Sequence, residues 1–213
     1  FAGTPPDMPT KEKKLYLTVF LQGFFNGTDM DKVVADATGP TYQWAGTIVD
    51  TVTVELHDAA DYTNIVYTAY GVNLNQDGTT NTGAKTYVSI PSSFNGSYYI
   101  TVKHRSHIET TTFDVVPFNT ATINYNFTTA ANQAFGSNMK ETAPSSGIFA
   151  LYSGDINQDG LVNLTDLSAV NFSALQIETG YLVNDLNGDG LVNLTDLSAV
   201  NFNALQLVAK NTP

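Results

Sequence analysis

The sequence predicts a mostly β protein, an immunoglobulin-like β-sandwich followed by a small α-helical module. Two observations support this fold class. Most of the chain consists of short segments in which apolar and polar residues alternate, separated by turns rich in Gly, Asn and Asp, and this pattern is typical of antiparallel sandwiches. Near the C-terminus a segment of 22 residues occurs twice, and each copy ends in a stretch with apolar residues at helical spacing.

The β-strands are predicted from alternation with a period of two. In the first strand Leu15, Leu17, Val19 and Leu21 point to one face of the sheet and the intervening residues to the other. The NLNQDG sequence at 73–78 is predicted to form a hairpin turn. The chain has no cysteine, so it lacks the disulfide of true immunoglobulin domains, and that name describes the architecture alone. Further strands are predicted around residues 48–56, 65–67, 88–90, 98–103 and 123–127.

Changes in composition divide the chain into parts. Residues 129–147 are small and polar and are predicted to form a loop or linker, before a short strand at 148–152. Only Ser153 and Gly154 separate that strand from the first repeat, so we expect the sandwich and the module to be packed together. The predicted parts are a Pro-rich linker at 1–13, the β-sandwich domain at 14–152 and the helical module at 153–213.

The repeat begins at Asp155 and again at Asp185, with an offset of 30 residues and 19 of 22 positions identical. Each copy opens with D-x-N-x-D-G-x-x-N-x-x-D, the pattern of an EF-hand-like calcium loop. Gly160 and Gly190 occupy the sixth position, where the chain must turn sharply. The alternative is an acidic, Asn-rich loop without metal.

The donors in these loops are all oxygen atoms, which suit a hard cation such as Ca²⁺. Position twelve is Asp rather than the usual Glu. The sequence therefore predicts two bound Ca²⁺ ions. The first set of ligands is Asp155, Asn157, Asp159, the Leu161 carbonyl, Asn163 and Asp166, and the second is Asp185, Asn187, Asp189, the Leu191 carbonyl, Asn193 and Asp196.

A helical pattern follows each loop and no comparable pattern precedes it, so each unit is a loop followed by a helix. Two such units in tandem resemble dockerin domains, and a β-sandwich before them resembles the arrangement of X-module and dockerin at the ends of cellulosomal proteins. The resemblance covers residues 153–213. It implies a calcium-dependent docking module that binds a cohesin-type protein, in the C-terminal part of a secreted or cell-surface bacterial protein concerned with polysaccharide degradation.

The resemblance also implies a partner-binding surface at helix positions that are identical in both copies. Because the two units are nearly identical, a partner is expected to dock in two orientations related by a half turn. The chain departs from many dockerins in having Leu at position ten and Phe at position eighteen. The alternative is that these phenylalanines pack against each other or against the sandwich. The implied residues are Leu164, Thr165, Asn171, Phe172, Gln176, Leu194, Thr195, Asn201, Phe202 and Gln206.

Charge and composition exclude several classes. The net charge is −11 and no basic patch suggests nucleic-acid binding. No apolar run approaches the roughly 18 residues that a membrane span needs. The three histidines, His57, His104 and His107, have no nucleophile arranged beside them, and a spacing of three on a strand would place His104 and His107 on opposite faces. We therefore expect no enzyme activity.

Two other functions remain open. Calcium could have a purely structural role and hold the C-terminal module against the sandwich, with no protein partner. Alternatively, the sandwich could bind a polysaccharide through aromatic side chains, since such rings stack on sugars. The candidate aromatic residues are Tyr16, Phe20, Trp44, Tyr98 and Tyr99.

Overall fold

The fold is known from a computed structural model that describes residues 12–36 and 41–213; the predicted linker at 1–13 lies almost wholly outside them. Within the described residues the chain forms eleven strands and two α-helices. The strands are β1 Glu12–Thr18, β2 Ile48–Asp58, β3 Ile65–Asn75, β4 Thr80–Asn81, β5 Val88–Pro91, β6 Ser97–His104, β7 His107–Thr111, β8 Val116–Pro117, β9 Thr122–Asn126, β10 Lys140–Glu141 and β11 Phe149–Ala150.

Two of the sheets in the described part of the chain share one apolar core. The smaller sheet contains β5, β1 and β9 in that order, and the larger contains β4, β3, β2, β6 and β7, with β8 paired to β6. Buried side chains of both sheets, such as Leu17 and Val54, belong to the same core cluster, as sheet-on-sheet packing requires. The predicted mostly β fold class is confirmed, and the sheets pack as a sandwich.

The alternation predicted for β1 is present in the structure. Leu15 and Leu17 are buried, while Lys14 and Tyr16 face outward, and Val19 and Leu21 continue the buried face beyond the strand. The strand pairs antiparallel with β5 and parallel with β9. The turn predicted at 73–78 is also found, since it joins β3 to β4.

The segment 129–147 is more ordered than its composition predicts. It contains two complete 3-10 turns, Ala131–Gln133 and Phe135–Ser137, and then β10, which pairs with β11. The prediction of a simple loop was wrong there, because Ala134 and Met139 are buried in the sandwich core and anchor an otherwise polar segment. Strands β7 and β8 were not predicted either.

The two helices are α1, Leu164–Gln176, and α2, Leu194–Leu205. They have a second core cluster, which includes Val170 and Val200, and to which Ile108 of β7 also belongs. Leu175 and Leu205 lie at the ends of the apolar stretches with helical spacing, but they are exposed at 73% and 78%. No helix in the described residues is long and apolar enough to span a membrane.

Candidate metal centre and docking surface

In both repeats the carboxylates at positions one and twelve are buried and fixed by backbone amides. Asp155 Oδ2 accepts a hydrogen bond of 3.1 Å from the Gly160 amide, and Asp185 Oδ2 accepts one of 2.9 Å from Gly190. A Cβ at the sixth position would have little room, because Gly160 has a φ of +86° and lies against the side chain of Lys210. The predicted need for glycine in these turns is therefore met.

The hydrogen bonds made by the residue at position twelve explain why it is an aspartate. Asp166 is the third residue of α1, and its Oδ2 accepts a hydrogen bond of 3.0 Å from the amide of Asn163, the residue that caps the helix. The side chain of Asn163 in turn accepts a bond from Thr165, which completes a capping box. Asp166 Oδ1 reaches across the loop to the Ile156 amide at 3.1 Å. A carboxylate of this length thus ties the start of the helix to the start of the loop.

The remaining predicted ligands lie beside these carboxylates. Asn157 donates from its side chain to Asp159 Oδ2 at 2.9 Å, and the Asn163 side chain approaches the Leu161 carbonyl at 3.4 Å. The second loop repeats these contacts, with Asn187 to Asp189 at 2.9 Å and Asn193 to Leu191 at 3.3 Å. Each loop therefore places carboxylate, amide and carbonyl oxygens together.

The electrostatics of both loops favour a cation. Burial raises the pKa of Asp155 to about 6, and the nearby charges of Asp166 and Asp159 act in the same direction. Burial likewise raises the pKa of Asp185 to about 6, with Asp196 and Asp189 beside it. The Oδ1 atom of Asp155 is buried and has no hydrogen-bond partner among the described residues.

These observations fit calcium better than most other metals. Across residues 12–36 and 41–213, no three His, Cys, Asp or Glu side chains form a cluster that would hold a metal by themselves. The loops instead offer a mixed set of oxygen donors, in which amides and backbone carbonyls complement the carboxylates. Calcium accepts six to eight such oxygens, whereas zinc and other transition metals prefer nitrogen or sulfur.

The two repeats are joined by reciprocal backbone hydrogen bonds. Val162, in the first loop, donates to the carbonyl of Val208 after α2 at 2.7 Å, and Val192, in the second loop, donates to Glu178 after α1 at 2.9 Å. With the repeat offset of 30 residues, Val162 corresponds to Val192 and Glu178 corresponds to Val208. Exchanging the two repeats therefore converts one hydrogen bond into the other. Such an exchange is the property of an isologous, two-fold contact. The module thus has approximate two-fold symmetry.

The residues implied for partner binding are all exposed. Leu164 and Leu194 are 71% and 74% exposed, and both border a groove of about 380 Å³ between the helices. Phe172 and Phe202 are 63% and 50% exposed, so neither is buried in a core. The symmetry is imperfect there, because the Lys140 ammonium lies 4.3 Å from the centre of the Phe202 ring. The groove is lined by Leu164, Leu167, Ser168 and Asn171 and by the equivalent Leu194, Leu197, Ser198 and Asn201.

The prediction that His104 and His107 lie on opposite faces was wrong. Arg105 and Ser106 turn the chain between β6 and β7, so the two histidines face each other across a hairpin, with their Nδ1 atoms 2.8 Å apart. Both are buried rather than at the surface. Burial lowers the pKa of both imidazoles.

Sequence reasoning missed a buried polar cluster between the sandwich and the module. Asp50 is fully buried; its Oδ2 accepts bonds from His104 at 3.1 Å and Arg105 at 3.0 Å. Burial would raise its pKa, but these neighbours hold the pKa well below the usual range. Arg105 also donates to the carbonyl of Leu182, and its guanidinium lies 4.5 Å from the ring centre of Tyr181. The only signal in the sequence was an aspartate inside an apolar strand.

The aromatic residues proposed for sugar stacking do not form one platform. Tyr98 packs on Phe118 in the sandwich core, and Trp44 packs on Tyr181. Tyr16 alone of the five borders a cleft of about 820 Å³. That cleft is also lined by the side chains of Asn73, Asn75, Gln76, Asp77 and Asn81.

Comparisons with known proteins give structural neighbours alone. No family model matches the chain. No curated protein matches it either. Among solved structures, it is similar to two interface mutants of a type II cohesin–X–dockerin complex from Acetivibrio cellulolyticus. The N-terminal interface mutant matches with a TM-score of 0.49 and 15% identity, covering 94% of this chain and 96% of that chain. The C-terminal interface mutant matches with a TM-score of 0.48 and 15% identity, covering 90% and 94%.

Proposed function

We propose that residues 153–213 bind two calcium ions and thereby form a non-catalytic docking module for a protein partner of the cohesin type. The observation that carries this proposal is the pair of loops related by reciprocal contacts, each with its buried carboxylates gathered around an oxygen-only donor set. Calcium would supply the positive charge that offsets these carboxylates. Residues Asp155 to Asp166 would hold one ion and residues Asp185 to Asp196 the other.

Calcium binding is expected to be coupled to folding of the module. The module is small and its core cluster consists mainly of valines, such as Val162, Val170, Val192 and Val200. A core of that size rarely suffices alone, so metal binding contributes folding free energy. The high calcium concentration outside cells suits such a module, and we propose a secreted or cell-surface location in a polysaccharide-degrading assembly.

Docking would use the exposed helix surface. The groove between α1 and α2 is apolar at Leu164 and Leu194, and Phe172 and Phe202 add exposed rings on the same helices. Aromatic side chains such as Phe are enriched in protein interfaces relative to the rest of the surface. Among the described residues, no acidic or basic side chain lines the groove, so the partner surface is expected to be largely apolar at this point.

Calorimetry on the intact chain tests the calcium proposal. We expect two ions per chain, and one ion for either Asp159→Ala or Asp189→Ala, since each change removes one carboxylate from one loop. Asp77→Ala is the matched control, because Asp77 lies in the NQDG turn of the sandwich that resembles half a calcium loop. A chain that binds no calcium, with melting unchanged by a chelator, would contradict the proposal.

Partner binding is tested separately. The calcium-loaded chain should capture a cohesin-type protein and release it when a chelator is added. Calcium binding without any captured partner would instead favour the simpler role, in which calcium staples the module to the sandwich.

A second candidate function, polysaccharide binding by the sandwich, is favoured by the cleft beside Tyr16. Side-chain amides such as those of Asn73 and Gln76 suit sugar hydroxyls because they both donate and accept hydrogen bonds. Affinity electrophoresis on neutral glucans, xylans and mannans should show retardation that Tyr16→Ala removes. Tyr42→Ala is the control, since Tyr42 is exposed but lies outside the cleft. Unretarded migration on all of these would exclude this candidate for neutral glycans.

A further inference from the structure

The two repeats differ at three positions, and at each of them the second repeat meets the sandwich. Asn203, which replaces Ser173, donates a hydrogen bond of 2.8 Å to Oε1 of Gln22. Leu186, which replaces Ile156, lies with its carbonyl oxygen in the space that a Cβ on Gly23 would occupy. The sandwich therefore touches the second repeat where the two copies are not identical.

The third difference has the same explanation. Gly188 replaces Gln158, and a Cβ added to it would lie 3.0 Å from Val33 and 3.3 Å from the ring of Phe24. The carbonyl of Gly188 also accepts a hydrogen bond of 2.8 Å from the amide of Val34. A Cβ at this position would be crowded, so the side chains of Val33 and Phe24 would have to shift by a few tenths of an ångström.

Three consecutive residues of the sandwich, Gln22, Gly23 and Phe24, thus face the three positions at which the repeats differ. We call residues 22–24 the docking segment. Its contacts account for the residues at Gly188 and Asn203, whereas the contact at Leu186 is made by the backbone carbonyl and does not depend on the side chain.

The first loop has less of this support. Gln158, at the position equivalent to Gly188, is exposed, and its side-chain amide donates to the carbonyl of Asp155 and, at 3.4 Å, to that of Arg105 in the sandwich. The Gly154 amide also donates to the Ser106 carbonyl at 2.8 Å, but this contact precedes the first ligand, Asp155. Ser173 accepts its hydrogen bond from Asn184 within the module. The two loops therefore have the same predicted calcium ligands but differ in how closely the sandwich packs against them.

We infer that the docking segment is a structural part of the second calcium site. It would raise the calcium affinity of the second loop above that of the first, and calcium in that loop would tighten the contact between module and sandwich. This inference rests on the proposed calcium binding and goes beyond it, because two nearly identical loops alone would bind with nearly equal affinity.

The sandwich holds the backbone of the second loop on both sides of a predicted ligand. Leu186 and Gly188 flank Asn187, the ligand at position three, and both have their backbones against the sandwich. Just upstream of Asp185, Tyr181 donates to Asp50 and Leu182 accepts from Arg105. A loop held on both sides of its ligands loses less conformational freedom when it binds an ion.

The coupling must act in both directions. If contact with the sandwich raises the calcium affinity of the second site, then calcium at that site stabilises the contact between module and sandwich by the same factor. The first site, whose exposed loop is braced mainly by the module itself, should show little coupling. The chain would then fill its two sites in a fixed order, with the second loop filled first.

Calcium titration of the intact chain tests the inference, with calorimetry to count both ions. The single tryptophan, Trp44, packs edge-on against Tyr181 with ring centroids 6.3 Å apart, so its fluorescence reports the region beside the second loop. We expect two affinities, with Trp44 responding to the tighter one. Gly23→Ala should weaken that site by about tenfold, within the usual range of coupling between sites, and leave the other site unchanged.

A matched pair of loop variants keeps the test decisive if Gly23→Ala does not fold. Gly188→Gln makes the second loop like the first at position four and should weaken the second site, because the added side chain meets Val33 and Phe24. Gly83→Gln makes the same substitution at a positive φ in the sandwich, where nothing lies within 4 Å of an added Cβ, and should alter neither affinity. Equal affinities in the unmodified chain, or a second site unaffected by Gly188→Gln, would overturn the inference. A chain that binds no calcium at all would instead overturn the proposed function.

Discussion

The hydroxyl of Tyr181 donates a hydrogen bond of 2.7 Å to Oδ1 of Asp50 and so joins the module to a carboxylate buried in the sandwich. Asp50 has no exposed surface, and Arg105 supplies the neighbouring positive charge. A buried carboxylate needs such partners because an uncompensated charge in the interior is costly. The junction between the two parts is therefore a specific, charged contact as well as an apolar one.

Tyr181→Phe should destabilise the intact chain by about 1 to 3 kcal/mol, the usual cost of leaving a buried hydrogen-bonding group without its partner. The ring and its packing on Trp44 and Arg105 are kept, so the effect isolates the hydroxyl. Urea denaturation of the calcium-loaded protein measures the change. Tyr70→Phe is the control, because Tyr70 is 79% exposed. Equal losses in both variants would show that the Tyr181 hydroxyl contributes nothing specific.

The sandwich is expected to fold without the module or calcium. A fragment of residues 12–152 keeps both sheets and their shared core but exposes Ile108, whose side chain belongs to the core of the module. Exposing a buried isoleucine costs about 1.5 to 3 kcal/mol. The fragment should therefore unfold cooperatively, at a lower temperature than the intact chain, and a chelator should not change its midpoint. A fragment without a cooperative transition would mean that residues 12–213 form one indivisible domain.

Without calcium, the buried carboxylates should make folding less favourable as the pH rises. The pKa of Asp155 is about 6 in the folded chain and lies near 3.8 when unfolded. The folded state therefore holds more protons between about pH 4 and 6, so this group lowers stability as the pH rises through that window. His104 and His107, whose pKa values are lowered by burial, act in the opposite direction.

The variant Asp155→Asn separates the pH dependence due to Asp155 from that due to the two histidines. Asp155→Asn removes the charge of one carboxylate, so its stability relative to the unmodified chain should increase from pH 4.5 to pH 7 in calcium-free buffer. Asp77→Asn, in an exposed turn, should show no such trend. Thermal denaturation at three pH values in this range measures the difference. A constant difference across the range would show that Asp155 does not titrate as proposed.

Much of the sandwich could be predicted from its sequence because alternation directly reflects which side of a strand is buried. The strands predicted near Leu15, Val54 and Ile100 are present, and each contributes buried residues to the core. Strand β7 was missed because its residues, HIETT, are mostly polar although four of the five are buried. The hydroxyl of Thr111, for example, shares a hydrogen bond with the hydroxyl of Tyr62, which lies far away in the sequence.

The loops and helices of the module could be predicted because their signals are local. The spacing of Asp155, Asn163 and Asp166 specifies both a turn-rich loop and the cap of the helix after it. The junction could not be predicted in this way. Gly23 carries no motif, and its close approach to Leu186 depends on how two separate parts of the chain come together. The three differences between the repeats were visible in the sequence, but their reason was not.

The duplicated docking surface presents the same aromatic anchor twice, once on each helix. Because the module has approximate two-fold symmetry, a partner anchored by Phe172 in one orientation would be anchored by Phe202 in the other. Phe172→Ala or Phe202→Ala alone would remove one of two binding modes and weaken binding by about twofold. The double variant should weaken it by more than about thirtyfold, since it removes the aromatic anchor from both modes.

The measurement is the affinity of the calcium-loaded chain for a cohesin-type partner, for the two single variants and the double variant. Phe113→Ala serves as the control, because Phe113 is 55% exposed but lies in the sandwich. The structure gives a reason to examine each single variant closely: Lys140 lies over the ring of Phe202, whereas no described cation lies over Phe172. If that contact blocks one orientation, Phe172→Ala will abolish binding while Phe202→Ala has no effect. Such a result would exclude two equivalent modes and assign docking to the first helix.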